Sequence, residues 1–370
     1  MHTKKVVILY ASCGAGHYTA AQAIAERFAA QSMAVEIKDI LDFAPSWYKR
    51  IYRDGYYFLI RKMPWLWGFL YRSSERKGRV TILDQWVRLW ETNLFRDFYR
   101  FLDEAKPNLV IATHFLPGSL LAGTNRGFKF MVVVTDYYAH SLWLSERTDQ
   151  YFVASEEVKG NLVDRGVNSE IIAVTGIPIK PVPGRKSPMA DNNVLGIDPA
   201  VFKVLLLSGA GGSGRLAAII KSLEKYAGSL QLIVSTGIDQ KLLQDLRSKF
   251  ATSKLHLKLI DFNTPVYPYF QAVDLVITKP GGLTITECMA FGLPLLMVNV
   301  IPGQEEGNAE YMREKRAGIL VKDLRRLPVI VGELMKDRLE LAEMGARAMQ
   351  AAPKNSAQAM FKIAQAVLKN

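Results

Sequence analysis

Residues 275–287 read LVITKPGGLTITE, and the order of the parts within this stretch decides the fold. Leu275–Thr278 is a short, β-branched apolar run of the kind that forms a strand covered on both faces. Pro280-Gly281-Gly282 is a turn whose glycines let the backbone come close to a ligand. Beyond it the apolar spacing becomes helical. A strand running through a glycine turn into a helix is the repeating unit of parallel α/β sheets. The same unit opens each half of the chain. Val6–Tyr10 runs into Ser12-Cys13-Gly14-Ala15-Gly16-His17, and VFKVLLLS (residues 201–208) runs into Gly209-Ala210-Gly211-Gly212-Ser213-Gly214.

Further strands are expected at Val35–Asp39, Leu109–Thr113, Phe130–Thr135 and Gln150–Ala154 in the first half. In the second they are expected at Lys203–Leu207, Leu230–Ser235, Leu255–Ile260, Leu275–Thr278 and Leu295–Val298. Between the halves, IPIKPVPGRKSPMAD (residues 177–191) is dense in proline, glycine and cations, as linkers are. The expected organisation is α/β: two Rossmann-like, doubly wound domains facing a central cleft. They would occupy residues 1–180 and 201–352, with a linker at 181–200 and a helical segment at 353–370. Ligands of such sheets bind beyond the carboxyl ends of the strands.

The 370 residues carry a formal charge of +12, which points to anionic partners such as a phosphate-bearing substrate, an anionic lipid surface or nucleic acid. Two cysteines, Cys13 and Cys288, exclude a disulfide framework and a cysteine-based zinc site and suit a reducing cytosol. No apolar run is long enough to cross a bilayer. The opening MHTKKVVILYAS passes straight into a glycine turn and reads as a first strand rather than an export signal.

Three loops carry chemistry. In the first, Gly14 and Gly16 open the backbone to a ligand, and His17 at the helix start is either a general base or a histidine that fastens a loop. The loop lacks the Lys-Ser/Thr of a nucleotide-hydrolysing P-loop. The second contains G-x-G-x-x-G, but the next strand, LQLIVSTG, ends without the acidic residue that would hold a dinucleotide ribose. A diphosphate cradle made by Gly211, Gly212 and Ser213 survives that test. The third seats a phosphate on the amides of Gly282, Leu283 and Thr284, after Gly281. Glu287, one turn on, either accepts two ribose hydroxyls or plays a capping role. Gln304, Glu305 and Asn308 form a polar cluster suited to sugar hydroxyls, or a merely solvated loop.

Residues 43–72, FAPSWYKRIYRDGYYFLIRKMPWLWGFLYR, interleave aromatic and basic side chains around a single acid, Asp54. Trp47, Tyr48, Arg50, Tyr57, Trp65 and Trp67 suit the headgroup boundary of an anionic membrane; the alternative is a helical subdomain with inward-packed rings. Basic residues with aromatics also bind single-stranded nucleic acid, but no nucleic-acid motif accompanies them, and the glycine loops would then lack a purpose.

Gly281-Gly282-x-Thr284-x-x-Glu287 followed by Pro302-Gly303-Gln304-Glu305-x-x-Asn308 resembles the donor site of one glycosyltransferase family. It contains monogalactosyldiacylglycerol synthases and bacterial processive diacylglycerol glucosyltransferases. The lipid II-forming N-acetylglucosaminyltransferase is a more distant member. Gly14-x-Gly16-His17, Val134-Thr135-Asp136-x-x-x-His140-x-x-Trp143 and Thr175-Gly176-Ile177-Pro178-Ile179 are similar to further motifs of that family, in the same order along nearly the whole chain. The resemblance implies a GT-B fold, an inverting mechanism, no cofactor and no metal, with residues 353–370 packing back on the first domain. It also implies roles: Glu287 on the ribose, Gly211, Gly212, Ser213, Gly282 and Thr284 on the diphosphate, and the turn at Phe262 on uracil. Gln304, Glu305 and Asn308 would hold the sugar. His17 would be the base, or Asp136 in its place, with Asp136 and His140 on the acceptor side. One departure is Ala15, where plant members carry glycine.

The expected activity is transfer of glucose or galactose from a UDP-sugar to a lipid hydroxyl, diacylglycerol above all, at the cytoplasmic face of the membrane, with no nucleic acid involved. Two other readings stay open: a UDP-sugar epimerase of the same architecture, and a non-catalytic UDP-sugar sensor that binds partners.

Overall fold

The computed structural model describes residues 4–369, apart from 76–92, 125, 183–191, 209–212, 238 and 262. The chain divides into two compact units, one of Met1–Pro181 with Pro353–Asn370, the other of Val182–Ala352.

The first unit holds a six-stranded sheet in the order β2-β1-β3-β4-β5-β6. Its strands are β1 Lys5–Tyr10, β2 Ala34–Asp39, β3 Leu109–Ala112, β4 Lys129–Val133, β5 Gln150–Val153 and β6 Ile172–Val174. Every pairing is parallel. The chain leaves β1 for β2 on one side, then returns past β1 to β3 on the other. The loops after β1 and β3 therefore diverge and open a crevice at the carboxyl ends of two adjacent strands. Val6, Ile8, Ile111, Met131 and Phe152 form one core with Ala21, Ile24 and Phe28 of the Ala15–Ala29 helix. The last helix, Ser356–Val367, joins this core through Met360, Phe361 and Ala364, with Phe361 edge-on to Phe28 at 5.2 Å. Its approach requires a glycine: a Cβ at Gly176 would lie 2.0 Å from Cβ of Pro353, and Gly176 has φ 79°.

The second unit repeats the plan in the order β12-β11-β10-β7-β8-β9, again all parallel. Its strands are β7 Phe202–Leu207, β8 Leu230–Ser235, β9 His256–Ile260, β10 Leu275–Thr278, β11 Leu295–Met297 and β12 Gly318–Leu320. Here the switch point lies between β7 and β10, so the second and third glycine loops leave neighbouring strands.

Two of the four edge strands, β6 and β12, are missing from the sequence reading. Each has three residues and a single neighbour, too short for a periodic signal. Residues 46–73 form two helices, Ser46–Lys62 and Pro64–Ser73. Met63 stands between them, and Pro64 opens the second, where its missing N–H costs nothing. Among the described residues no helix is long and apolar enough to cross a membrane.

Candidate active site

The first cluster of candidate residues lies at the switch point of the first sheet. The Ala15–Ala29 helix starts at Gly14, whose φ of 108° a side chain would strain and which brings no side chain to the first amides. His17 sits in its first turn. His17 Nδ1 lies 2.7 Å from the carbonyl oxygen of Thr113, at the end of β3. A carbonyl only accepts, so Nδ1 carries the proton and Nε2 keeps the basic lone pair. Thr135 Oγ1, beyond β4, stands 3.1 Å from the same nitrogen, and the Thr113 hydroxyl donates to the His17 carbonyl at 2.9 Å. The ends of three strands thus fix the ring and its tautomer.

His114 follows Thr113 and meets His17 edge to face, with centroids 4.8 Å apart. Its Nδ1 accepts the Leu116 amide at 3.1 Å. Burial, and then the neighbouring His17, push its pKa well below the ordinary histidine range, so it stays neutral beside His17. Sequence reasoning missed His114, although it directly follows the strand that pairs with β1.

Asp136 is half-buried in the loop after β4. His140, in the same loop, is 1% exposed. Its Nδ1 accepts the Leu142 amide at 3.1 Å, so Nε2 is the donor, lying 2.9 Å from the Tyr71 carbonyl and 3.0 Å from Glu75 Oε2. Glu75 in turn holds Arg165 at 2.7 Å, and Arg165 donates to the Tyr138 hydroxyl at 2.7 Å. The local role of His140 is therefore that of a buried tie between the Pro64–Ser73 helix and the loop after β4.

The aromatic-basic stretch splits by helical phase. Trp47, Ile51 and Phe58 share one face of their helix and are 50%, 66% and 56% exposed; Trp65 and Phe69 share a face of the next at 67% and 60%. Arg50 is also exposed. Tyr48 packs against Tyr52 and Phe95, Tyr57 lies beneath Arg61, and Trp67 is edge-on to Tyr56. Lys49 ties this helix to the first glycine loop: it pairs at 3.6 Å with Asp39, whose Oδ1 accepts the amides of Ser12 and Leu41.

The second cluster of candidate residues, in the other unit, surrounds the helix Gly282–Ala290. Gly281 precedes it as the N-cap and brings no side chain to its first amides. Glu287 accepts the Tyr267 hydroxyl at 2.9 Å rather than capping the helix. Burial raises its carboxyl to about 7, with the Tyr267 hydrogen bond pulling the other way. Lys279, at the end of β10, forms an ion pair with Glu305, whose other oxygen accepts the Ile301 amide at 3.0 Å. Glu305 and Asn308 are buried rather than solvated, and Gln304 is half-buried just before them. Lys279 and Tyr267 are additions to the expected set. Lys279 stood in the glycine-turn motif as the one cation beside it. Gly211, Gly212 and Phe262 lie outside the described residues. Ser213 opens the helix Ser213–Leu223, but its side chain is also outside them. Among the described residues no group of three His, Cys, Asp or Glu side chains is arranged to hold a metal.

The raised Glu287 carboxyl has a measurable consequence. If ribose hydroxyls donate to it, the ionised form is the binding form, so UDP binding tightens as pH rises from about 6 to 8. Glu287→Gln should flatten that profile. Without donor the sign for folding is opposite. The folded pKa lies above the ordinary 4.5, so the group's contribution to stability is lost as pH rises through about 7. Calorimetric titrations of wild type and variant at three pH values test the binding effect.

The comparisons with known proteins agree with this plan. Residues 17–179 match the model of the monogalactosyldiacylglycerol (MGDG) synthase family, and residues 204–365 match that of the glycosyltransferase family 28 C-terminal domain. A processive diacylglycerol beta-glucosyltransferase of Bacillus cereus is 30% identical over 357 residues, covering 92% of this chain and 88% of the relative. Among solved structures, MurG of Acinetobacter baumannii superposes with a TM-score of 0.62 at 17% identity, covering 98% of this chain and 99% of MurG. The S. aureus MnaA–UDP structure gives 0.66 at 12% identity, covering 99% and 97%. These two likenesses establish the GT-B fold alone. With the sequence relationship beside them, the chain belongs to the glycosyltransferase family of the monogalactosyldiacylglycerol synthases and processive diacylglycerol glucosyltransferases.

Proposed function

We propose that this protein transfers a hexose, glucose or galactose, from a UDP-sugar to a lipid hydroxyl, that of diacylglycerol above all, with inversion and without a metal. The observation that carries the reading is the His17–Thr113 hydrogen bond, because it leaves Nε2 as a fixed base in the first glycine loop. Nε2 takes the proton of the acceptor hydroxyl as its oxygen bonds to the anomeric carbon. The bond from that carbon to the diphosphate oxygen breaks, and UDP departs with the electron pair. Uncapped amides of the Gly282–Ala290 helix receive the charge that develops there. Glu287 orients the ribose, and Gln304 and Asn308 flank the sugar. Inversion is testable by NMR of the product: an α-linked UDP-hexose should give a β-glycoside. An α-linked product would overturn single displacement by His17.

The acceptor is supplied from a membrane surface, on the cytoplasmic side. Support comes from the exposed stripe of Trp47, Ile51, Phe58, Trp65 and Phe69 beside Arg50, Arg61 and Lys62, with no acid except Asp54 among them. Burying two aromatic rings at an interface contributes several kcal/mol, so the double variant Trp65→Ser, Phe69→Ser should lose at least about tenfold in partition onto anionic vesicles. Flotation at low and high salt measures this; partition unchanged by the variant would remove the membrane role from these helices.

A further inference from the structure

Lys279 and Glu305 are 26 positions apart in sequence and meet beside Gly281. A side chain built on Gly281 would find Lys279 Nζ at 3.6 Å, Glu305 Oε1 at 3.8 Å and Thr284 Oγ1 at 3.8 Å. An ammonium, a carboxylate and a hydroxyl thus converge on the space that the glycine leaves open, at the start of the Gly282–Ala290 helix. Glu305 is 3% exposed, and its charge is balanced by Lys279 and the Ile301 amide; the lysine is 27% exposed.

Resting on the UDP-sugar reading above, the geometry points to Lys279 as the cation that receives the leaving diphosphate, held in reserve by Glu305 until the donor arrives. A diphosphate on the helix amides brings at least two negative charges next to a buried carboxylate. Those charges draw the ammonium from the carboxylate toward the phosphate oxygens, and the carboxylate left behind keeps the Ile301 amide as a donor. The swing needs only a turn of a flexible four-carbon stem. It also frees Glu305 Oε1, which then accepts a hydroxyl of the transferred sugar. One ion pair therefore exchanges for two substrate contacts, and the cation is delivered where charge grows as the bond to the anomeric carbon breaks. No covalent bond to the protein forms, and no proton leaves Lys279.

The test separates the diphosphate from the nucleoside by titrating UDP and uridine into the full chain. Lys279→Met should weaken UDP binding about 30-fold, the loss expected for one charge-assisted contact, and leave uridine within about twofold. Lys279→Arg, which keeps the charge, should restore most of the UDP affinity. Glu305→Gln releases the ammonium, so UDP should bind several-fold tighter while transfer slows. Equal weakening of UDP and uridine in Lys279→Met would mean the pair only braces the Ile301 loop, and UDP unchanged in both variants would exclude the exchange. Either result overturns this inference and leaves the donor site standing. Wild type that binds neither UDP nor uridine would overturn the donor reading itself, and this inference with it.

Discussion

Replacing His17 with alanine should lower hexose transfer by about a thousandfold while UDP affinity stays within about twofold. The size follows from what the ring does. A lipid hydroxyl is a poor nucleophile until a base takes its proton, and positioned bases contribute about 10²–10⁴ in rate. The selectivity follows from where the ring is. His17 belongs to the first unit, held by Thr113 and Thr135 at the ends of its sheet, whereas the loops proposed to hold the nucleotide belong to the second. The alanine variant keeps the loop backbone, because Gly14 sets the helix start and Asp39 holds the Ser12 amide without help from the imidazole. His17→Gln is a useful companion: it can keep a hydrogen bond to the Thr113 carbonyl but offers no base, so it should be as inactive as alanine. Parallel loss of transfer and UDP binding would instead make His17 a loop fastener.

The second large effect is expected at Glu287. Removing its carboxylate with Glu287→Ala should weaken UDP-sugar binding about 30- to 100-fold and change kcat far less. A carboxylate accepting two ribose hydroxyls contributes two charge-assisted hydrogen bonds, and these act alike in ground and transition states. Tyr267 makes the prediction sharper. Its hydroxyl already donates to Glu287 Oε1, so a Tyr267→Phe variant should leave a free carboxylate and alter donor affinity much less than the loss of Glu287 does. Donor KM in the presence of saturating acceptor measures both. An unchanged KM in Glu287→Ala would refute the ribose role.

How much of this was legible beforehand depends on range along the chain. Central strands such as Val6–Tyr10 and Leu109–Ala112 announce themselves because both faces are covered and the apolar run is unbroken. The edge strands β6 and β12 do not, having three residues and one neighbour each. Helical phase groups Trp47 with Ile51 and Phe58, but it does not say that their face is the exposed one while Tyr48 turns inward. Glycine turns, His17 and Glu287 were readable as a pattern because local sequence sets the turns and His17 at helix starts and Glu287 one turn further on. The partners that give them chemistry were not. Thr113 reaches His17 across 96 positions, Tyr267 reaches Glu287 from another helix, and Lys279 reaches Glu305 only after β11 is laid beside β10. His140 makes the same point from the other side: its motif suggests an acceptor contact, whereas burial against Tyr71 and Glu75 gives it a bracing position.

The proposed activity, transfer of a hexose from UDP to a membrane lipid by the chain's own side chains, is open to direct assay. The most direct measurement supplies radiolabelled UDP-glucose and, separately, UDP-galactose to anionic liposomes containing diacylglycerol, with a chelator present and the His17→Ala variant alongside. Label is expected in a chloroform-soluble product from one or both donors, undiminished by chelator and absent with the variant. Measurable UDP binding with no lipid-soluble label from either donor would contradict it.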